Sequence, residues 1–299
     1  MNKKRIGLLC LSIGIAAAVL SLLIKVPDVK KTPQGMFVPP VSTSQMQAVF
    51  RKHGYDMARC LDGESPVPRL FVQSVPRDFN REKFDEVRPA LFFEMMLPVV
   101  LRANETLAVE REQVLRLKRE FDDAGDLTEQ SMRELDGWVK RYDVKDSDDL
   151  NTLFTALLER VDGVTPTLLL AMAAQDSGFG TSRYAREHNA VFNQRDWDGN
   201  GVDPDEEQKE GPQYKIKTFD SLYDAVISQI YYINTNGYLK NYRAARDRYR
   251  RTNSPMRGYS VANLLINFPY KPFKYPDIIK HLIRQYGLTP LDFQILAEQ

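Results

Sequence analysis

Asp176 closes a run of apolar and small residues, Leu168 to Ala174, and is followed directly by Ser177-Gly178. A carboxyl at a helix end, beside small residues that let a polymer approach, can hold a proton for general-acid chemistry. The apolar helix behind it would raise its pKa and keep that proton available. The same carboxyl can instead cap the turn with Ser177 and Gly178. Glycoside cleavage commonly pairs such an acid with a second group across the scissile bond. Asp196 and Asp198, in an acidic and glycine-rich stretch, are the candidates for it.

That stretch has a second reading. Asp196-Trp197-Asp198-Gly199-Asn200-Gly201, with Glu207 behind it, follows the oxygen spacing of a calcium loop. Asp196, Asp198, Asn200 and Glu207 would be the weak Ca2+ ligands. Asp203 at the usually apolar eighth position, and Pro204 after it, favour a solvated hairpin tip. The histidines His53, His188 and His281 share no ligand spacing, which argues against a zinc amidase or peptidase. No cofactor is required by this reading. Arg243, Arg246, Arg248, Arg250 and Arg251, interleaved with Tyr242 and Tyr249, form a basic helix. It is expected to be a solvated face, or to attract acidic peptides. A formal net charge of +1 supplies no global field for nucleic acid, and none is expected as a partner.

The elements that must position Asp176 are mostly helical. From about Phe84, the residues Phe92, Phe93, Met96, Leu97, Val100, Leu107, Val114 and Leu117 recur at three and four, and Pro98 is expected to kink or restart the helix. Gly125 stops it, and Thr128 caps a second helix through Leu135, Trp138 and Tyr142. A third runs from about Asp148 to Arg160. Thr165-Pro166 opens a fourth, which ends at Gly178 with Asp176 in its last turn. Alternation at Tyr214 to Phe219 predicts a short β-hairpin over residues 193–217. Further helices are expected at Asp220 to Thr235, Tyr238 to Arg251, Tyr259 to Asn267 and Pro276 to Tyr286. The class is mainly α with one small hairpin.

The N-terminus is read as an anchor. Asn2-Lys3-Lys4-Arg5 precedes an uncharged run from Ile6 to Ile24. As a helix it would span roughly 28 Å, close to a bilayer core of about 30 Å. The basic flank places Met1 in the cytoplasm and the rest outside. A cleaved signal peptide competes through Ala16-Ala17-Ala18, but the run continues to Ile24, too apolar for a mature N-terminus. Cys10 lies in this run and Cys60 stands alone, so no disulfide between them is expected. Pro27, Pro33, Pro39 and Pro40 mark residues 26 to about 48 as an extended tether. The expected organisation is an anchor over 1–25, a tether and irregular segment over 26–80, a helical subdomain over 81–162 and a cleft domain over 163–299.

The segment from Val161 to Ala185, with Asp176-Ser177-Gly178-Phe179-Gly180-Thr181-Ser182 at its centre, resembles the signature of the bacterial glucosaminidase family, in its Bax-like branch. There a helix of apolar and small residues ends in Glu-Ser-Gly-Trp-Gly-Thr-Ser, the Glu being the acid. Asn189 to Asn193 stands where the family has Asn-Asn-Leu-Phe-Gly. Gly211-Pro212-Gln213-Tyr214 to Ser221, Asn234-Thr235 with Tyr238, Tyr242-Arg243, Arg246, and upstream Leu97-Pro98, Asn104 and Arg111 follow in register. The resemblance covers roughly residues 80 to 290. It implies a lysozyme-like α+β fold and a peptidoglycan substrate of alternating N-acetylglucosamine and N-acetylmuramic acid. It implies Asp176 as the acid, and sugar contacts at Ser177, Phe179, Phe192, Tyr214, Phe268 and Tyr270.

Four positions depart from the pattern. Asp176 replaces Glu, Phe179 replaces Trp, Asn193 replaces Gly, and the family's Tyr-Ser falls on Phe268-Pro269, with Tyr270 close enough to substitute. Asp is one methylene shorter than Glu, and a misplacement of roughly 1 Å can cost about a hundredfold in rate. Two functions follow: a periplasmic glucosaminidase with weakened or altered hydrolysis, held in the inner membrane through residues 6–24, or an inactive peptidoglycan-binding scaffold. Either would serve at the envelope, with another envelope protein or a wall hydrolase as a partner.

Overall fold

The computed structural model describes residues 25–63, 65–82, 87–145, 147–205 and 213–298. Among these, no helix is long and apolar enough to cross a membrane. The expected anchor, Ile6 to Ile24, lies outside the described residues, as do Phe84, Glu207 and Gly211-Pro212.

The stretch expected to be a tether is folded. Strands β1 (Lys30–Thr32) and β2 (Gly35–Val38) form a hairpin in which Lys30 pairs with Phe37. Helix α1 (Thr43–Lys52) follows, started by a capping box between Ser42 and Gln45. Helix α2 (Met57–Leu61) leads to β3 (Leu70–Val72), which runs parallel to β2 with Met36 opposite Leu70. Prolines suggested an extended chain, but Val38, Met46, Val49, Phe50, Leu70, Phe71 and Val72 are all buried. Gly35 lets the hairpin lie against β3: its φ is +140°, and a Cβ there would stand 2.7 Å from the carbonyl oxygen of Arg69.

Helix α3 (Val87–Ala124) runs unbroken through Pro98 for 38 residues, where a kink or restart was expected. Every residue from Leu91 to Leu101 except Glu94 is buried, so packing holds the helix across the missing hydrogen bond. Helices α4 (Glu129–Arg141) and α5 (Leu150–Arg160) start at the side-chain caps Thr128 and Asp149. Then comes α6 (Pro166–Ser177), buried on all sides from Pro166 to Ala174 and so the central helix of the core. It packs on α3.

A short α7 (Arg183–His188), which no sequence signal had marked, links α6 to the hairpin β4 (Arg195–Asp196) and β5 (Lys215–Ile216). Arg195 pairs with Ile216 and Asp196 with Lys215. Helices α8 (Leu222–Thr235), α9 (Lys240–Arg251) and α11 (Tyr275–Gln285) lie close to their expected limits, whereas the helix expected from Tyr259 to Asn267 is α-helical only over α10 (Gly258–Val261) and tightens to a 3-10 helix over Ala262–Asn267. The fold is mainly helical with small sheets.

Helix α9 is a solvated basic face only in part: Arg248, Arg250 and Arg251 are exposed, but the other two arginines are not. Arg243 and Arg246 are 3% and 5% exposed, and Arg250 is ion-paired with Asp162. Arg246 donates to the carbonyls of Gly163 at 2.8 Å and Glu159 at 2.9 Å, and to Asn234 Oδ1 at 2.8 Å. Asn104 brackets Val164, accepting from its N–H at 3.0 Å and donating to its carbonyl at 2.8 Å. The loop that launches α6 is therefore held by side chains from α3, α8 and α9.

Candidate active site

Helix α6 delivers Asp176 because its two ends are fixed differently. At its start, Thr165 makes no side-chain cap. The capping carboxylate is Asp292, which accepts from the Thr167 N–H at 3.0 Å and from its hydroxyl at 2.7 Å. At its end, Gly178 turns left-handed with φ +57°, releasing the chain. Asp176 therefore sits in the last turn, where the helix dipole disfavours an anion.

The Asp176 carboxylate is covered. Its side chain is 4% exposed, although the residue as a whole is half-buried. Lys271 Nζ lies 2.8 Å from Oδ2, and the Tyr275 hydroxyl donates to both oxygens at 3.2 Å. Burial pushes the carboxyl up to about 6, against the opposing pull of Lys271 and Tyr275. Burial also holds the Tyr275 phenol well above its ordinary value, so Tyr275 stays a neutral donor.

This shift has a sign that unfolding can read. The folded carboxyl, at about 6 rather than 3.8, binds its proton more tightly than the unfolded one. Its contribution favours folding below the unfolded value and is lost as pH rises through about 6. The change is on the order of 3 kcal/mol. Urea denaturation between pH 4 and 7.5 should show wild type losing about that much relative to Asp176→Asn. Parallel pH profiles would reject the assignment.

Beside Lys271 opens a cleft of about 1010 Å³, at the upper end of ligand-site volumes and roomy enough for an oligomer. Asp176 does not line it; Lys271, which covers Asp176, does. Hairpin residues Arg195, Trp197 and Tyr214, Tyr232 of α8, and Tyr270 form much of its wall. Trp197 is 45% and Tyr270 62% exposed. Gln194, before β4, is tied to α8 through Gln229 at 2.6 Å and Ser228 at 2.9 Å, fixing the hairpin against that helix.

The expected sugar-contact residues divide. Tyr214 and Tyr270 line the cleft, as do Phe192 and Phe268, which are 2% and 7% exposed. Ser177 does not reach it: its buried hydroxyl donates to the Ala173 carbonyl at 2.6 Å and accepts the Gly180 N–H at 2.7 Å. Phe179 is packed among Phe92, Phe93 and Tyr286 rather than presented to a ligand. Phe268 packs at a tilt against Tyr232 and Tyr275, with ring centroids 5.5 and 5.9 Å away. The phenol that reaches Asp176 is that of Tyr275, not Tyr270, whose ring meets Trp197 and Arg195.

Asp196 and Asp198 line the cleft, and Asp196 Oδ2 accepts the Asn200 N–H at 2.6 Å. Among the described residues no three His, Cys, Asp or Glu side chains are grouped to hold a metal, and Glu207 lies outside them. Asn193, where the family pattern has Gly, takes φ +48°, and its amide donates to the Asp176 carbonyl. Asn is among the few non-glycine residues that adopt that backbone readily. Lys271 and Tyr275 belong to the site although they lie outside the sequence motifs. The signal available is a lysine in the turn before the last long helix and a tyrosine four residues on, at that helix's first position.

The family model described as "Glucosaminidase: Mannosyl-glycoprotein endo-beta-N-acetylglucosaminidase" matches residues 154–288, which span α6, the hairpin and α11. The chain is also similar to Protein bax of Escherichia coli (strain K12), 24% identical over 193 residues, or 64% of this chain and 67% of the relative. No solved structure matches it. The helix that ends in Asp176, the hairpin beside it and the tyrosine-bearing α11 thus all fall within the segment that matches the glucosaminidase family model.

Proposed function

We propose that this is a membrane-anchored peptidoglycan-binding protein, with a lysozyme-like glucosaminidase domain that grips glycan strands and hydrolyses them slowly at neutral pH. The Lys271–Asp176 ion pair carries this reading. A general acid needs a proton and a path to the glycosidic oxygen. Asp176 is mostly ionised at pH 7, since its carboxyl titrates near 6, and Lys271 stands between it and the cleft. The aromatic wall supports binding, because sugar rings pack their apolar faces on exposed aromatic side chains. The uncharged run from Ile6 to Ile24 supports an inner-membrane anchor with the cleft in the periplasm.

Sedimentation with purified sacculi, together with the release of reducing ends, tests the proposal on wild type and Asp176→Ala. Both proteins should pellet with the sacculi. Wild type should release reducing ends slowly at pH 7 and several-fold faster at pH 5, where Asp176 is protonated. Asp176→Ala should release none at either pH. Failure of wild type to pellet overturns the binding role, and equal release by both proteins removes Asp176 from the chemistry.

A further inference from the structure

Arg195 stands in the cleft in an unusual way. Its guanidinium carbon lies 3.9 Å from the Tyr214 ring centroid and 4.1 Å from that of Tyr270, with Trp197 at 5.8 Å. Trp197 is in turn 5.6 Å from each of the two tyrosines, so three rings enclose one cation. Two other cations lining the cleft already face carboxylates: Arg141 pairs with Glu110 at 2.9 Å and Lys271 with Asp176. Among the described residues Arg195 makes no hydrogen bond or ion pair through its side chain. Stacking occupies the faces of a guanidinium and leaves its in-plane N–H donors for a planar acceptor. Tyr270 is held at φ +62°, a costly backbone for a bulky residue, in the same turn that sends Lys271 to Asp176. The turn thereby sets one side chain on the acid and the next on Arg195.

We propose that Arg195, clasped by Tyr214, Tyr270 and Trp197, is a carboxylate-recognition subsite that makes the cleft select glycans bearing an acidic substituent over neutral amino-sugar chains. This rests on the glycan-binding reading above and names the ligand chemistry it favours. A carboxylate accepts two parallel N–H bonds from an arginine edge, whereas an uncharged hydroxyl or acetamide gains less from the charge. In a wall polymer the carboxylate has two sources: the lactyl ether of a muramic acid whose peptide has been removed, and the stem peptide itself.

Calorimetric titration of the full chain in detergent at pH 8, where cleavage is slowest, separates the possibilities. The ligands are a chitin oligomer, a peptide-stripped wall glycan of equal length, its carboxyl methyl ester, and an intact muropeptide oligomer. The acidic glycan should bind about tenfold more tightly than chitin, the scale of one charge-assisted hydrogen bond. Esterification or Arg195→Met should abolish that gain while leaving chitin binding within about twofold, which also reports that the variant is folded. Arg195→Lys should keep part of it, as charge without the planar fork. A gain with stripped glycan assigns the lactyl carboxylate, and a gain confined to intact muropeptides assigns the stem peptide. Equal affinity for chitin and both acidic ligands overturns the inference, as does an equal loss for every ligand in Arg195→Met. If wild type binds no glycan at all, the underlying function fails and the inference with it.

Discussion

Asp162→Ala should destabilise the protein by about 3–5 kcal/mol, the usual result of removing one partner from a buried ion pair. The Asp162 side chain is 7% exposed and faces three arginines. Arg250 Nε donates to Oδ2 at 2.7 Å and its Nη2 to Oδ1, while Arg111 Nη1 and Arg246 Nε lie 3.6 and 3.9 Å from Oδ2. Burial alone would push this carboxyl up, but Arg246, Arg250 and Arg111 outweigh it and hold it below its ordinary value. Without it, Arg111 and Arg246 keep their carbonyl partners but lose their counter-charge, in a place with little water.

Asp162→Asn should lose less, because an amide oxygen can still accept the Gly163 N–H that Oδ1 holds at 2.8 Å. Chemical denaturation measures both variants. Because the carboxyl is depressed, its contribution is present above the unfolded pKa and lost as pH falls through the folded one. The gap between wild type and Asp162→Ala should therefore narrow toward pH 3. A loss under about 1 kcal/mol at pH 7 would mean that the arginines are solvated without Asp162.

What the sequence disclosed depended on how local the cause was. The helix ending at Gly178 and the hairpin around residues 193–217 were legible because apolar period, cap and turn residues lie within a few positions of one another. The folded N-terminal segment was not. Its strands are three and four residues long, and β2 exists because β3, more than thirty residues later, pairs with it. Arg246 looked solvated for the same reason: the Asp162 carbonyl it binds is 84 positions away. In the site itself, the carboxyl at the helix end was legible, but its cover was not. Lys271 and Tyr275 reach Asp176 across nearly a hundred residues, and no spacing rule connects them. The substitution of Phe268 for the family tyrosine suggested a lost hydroxyl. The fold supplies one from Tyr275, with Phe268 packed against its ring.

Lys271→Met should raise glycan cleavage at pH 7 by up to about tenfold and move the pH–rate profile toward alkaline values. The lysine is the largest influence opposing burial at Asp176, so removing it drives the carboxyl further above 6. At pH 7 a group titrating near 6 is protonated roughly a tenth of the time, which sets the ceiling on the gain from protonation alone. Methionine keeps the apolar stem that lies along the Tyr275 ring, 5.4 Å from Lys271 Nζ, but offers no charge to hold the acid ionised. Asp176→Glu in the same background should add to the gain, because the extra methylene carries the proton toward the cleft that Lys271 vacates. Asp176→Glu alone should gain little, since the longer carboxylate would still meet the ammonium. The pH profile of reducing-end release distinguishes these effects from simple loosening of the site, which would change the rate without moving its midpoint. An unmoved midpoint in Lys271→Met would show that the ion pair does not govern the acid's proton, and slow turnover would then lie in the reach of the shorter side chain.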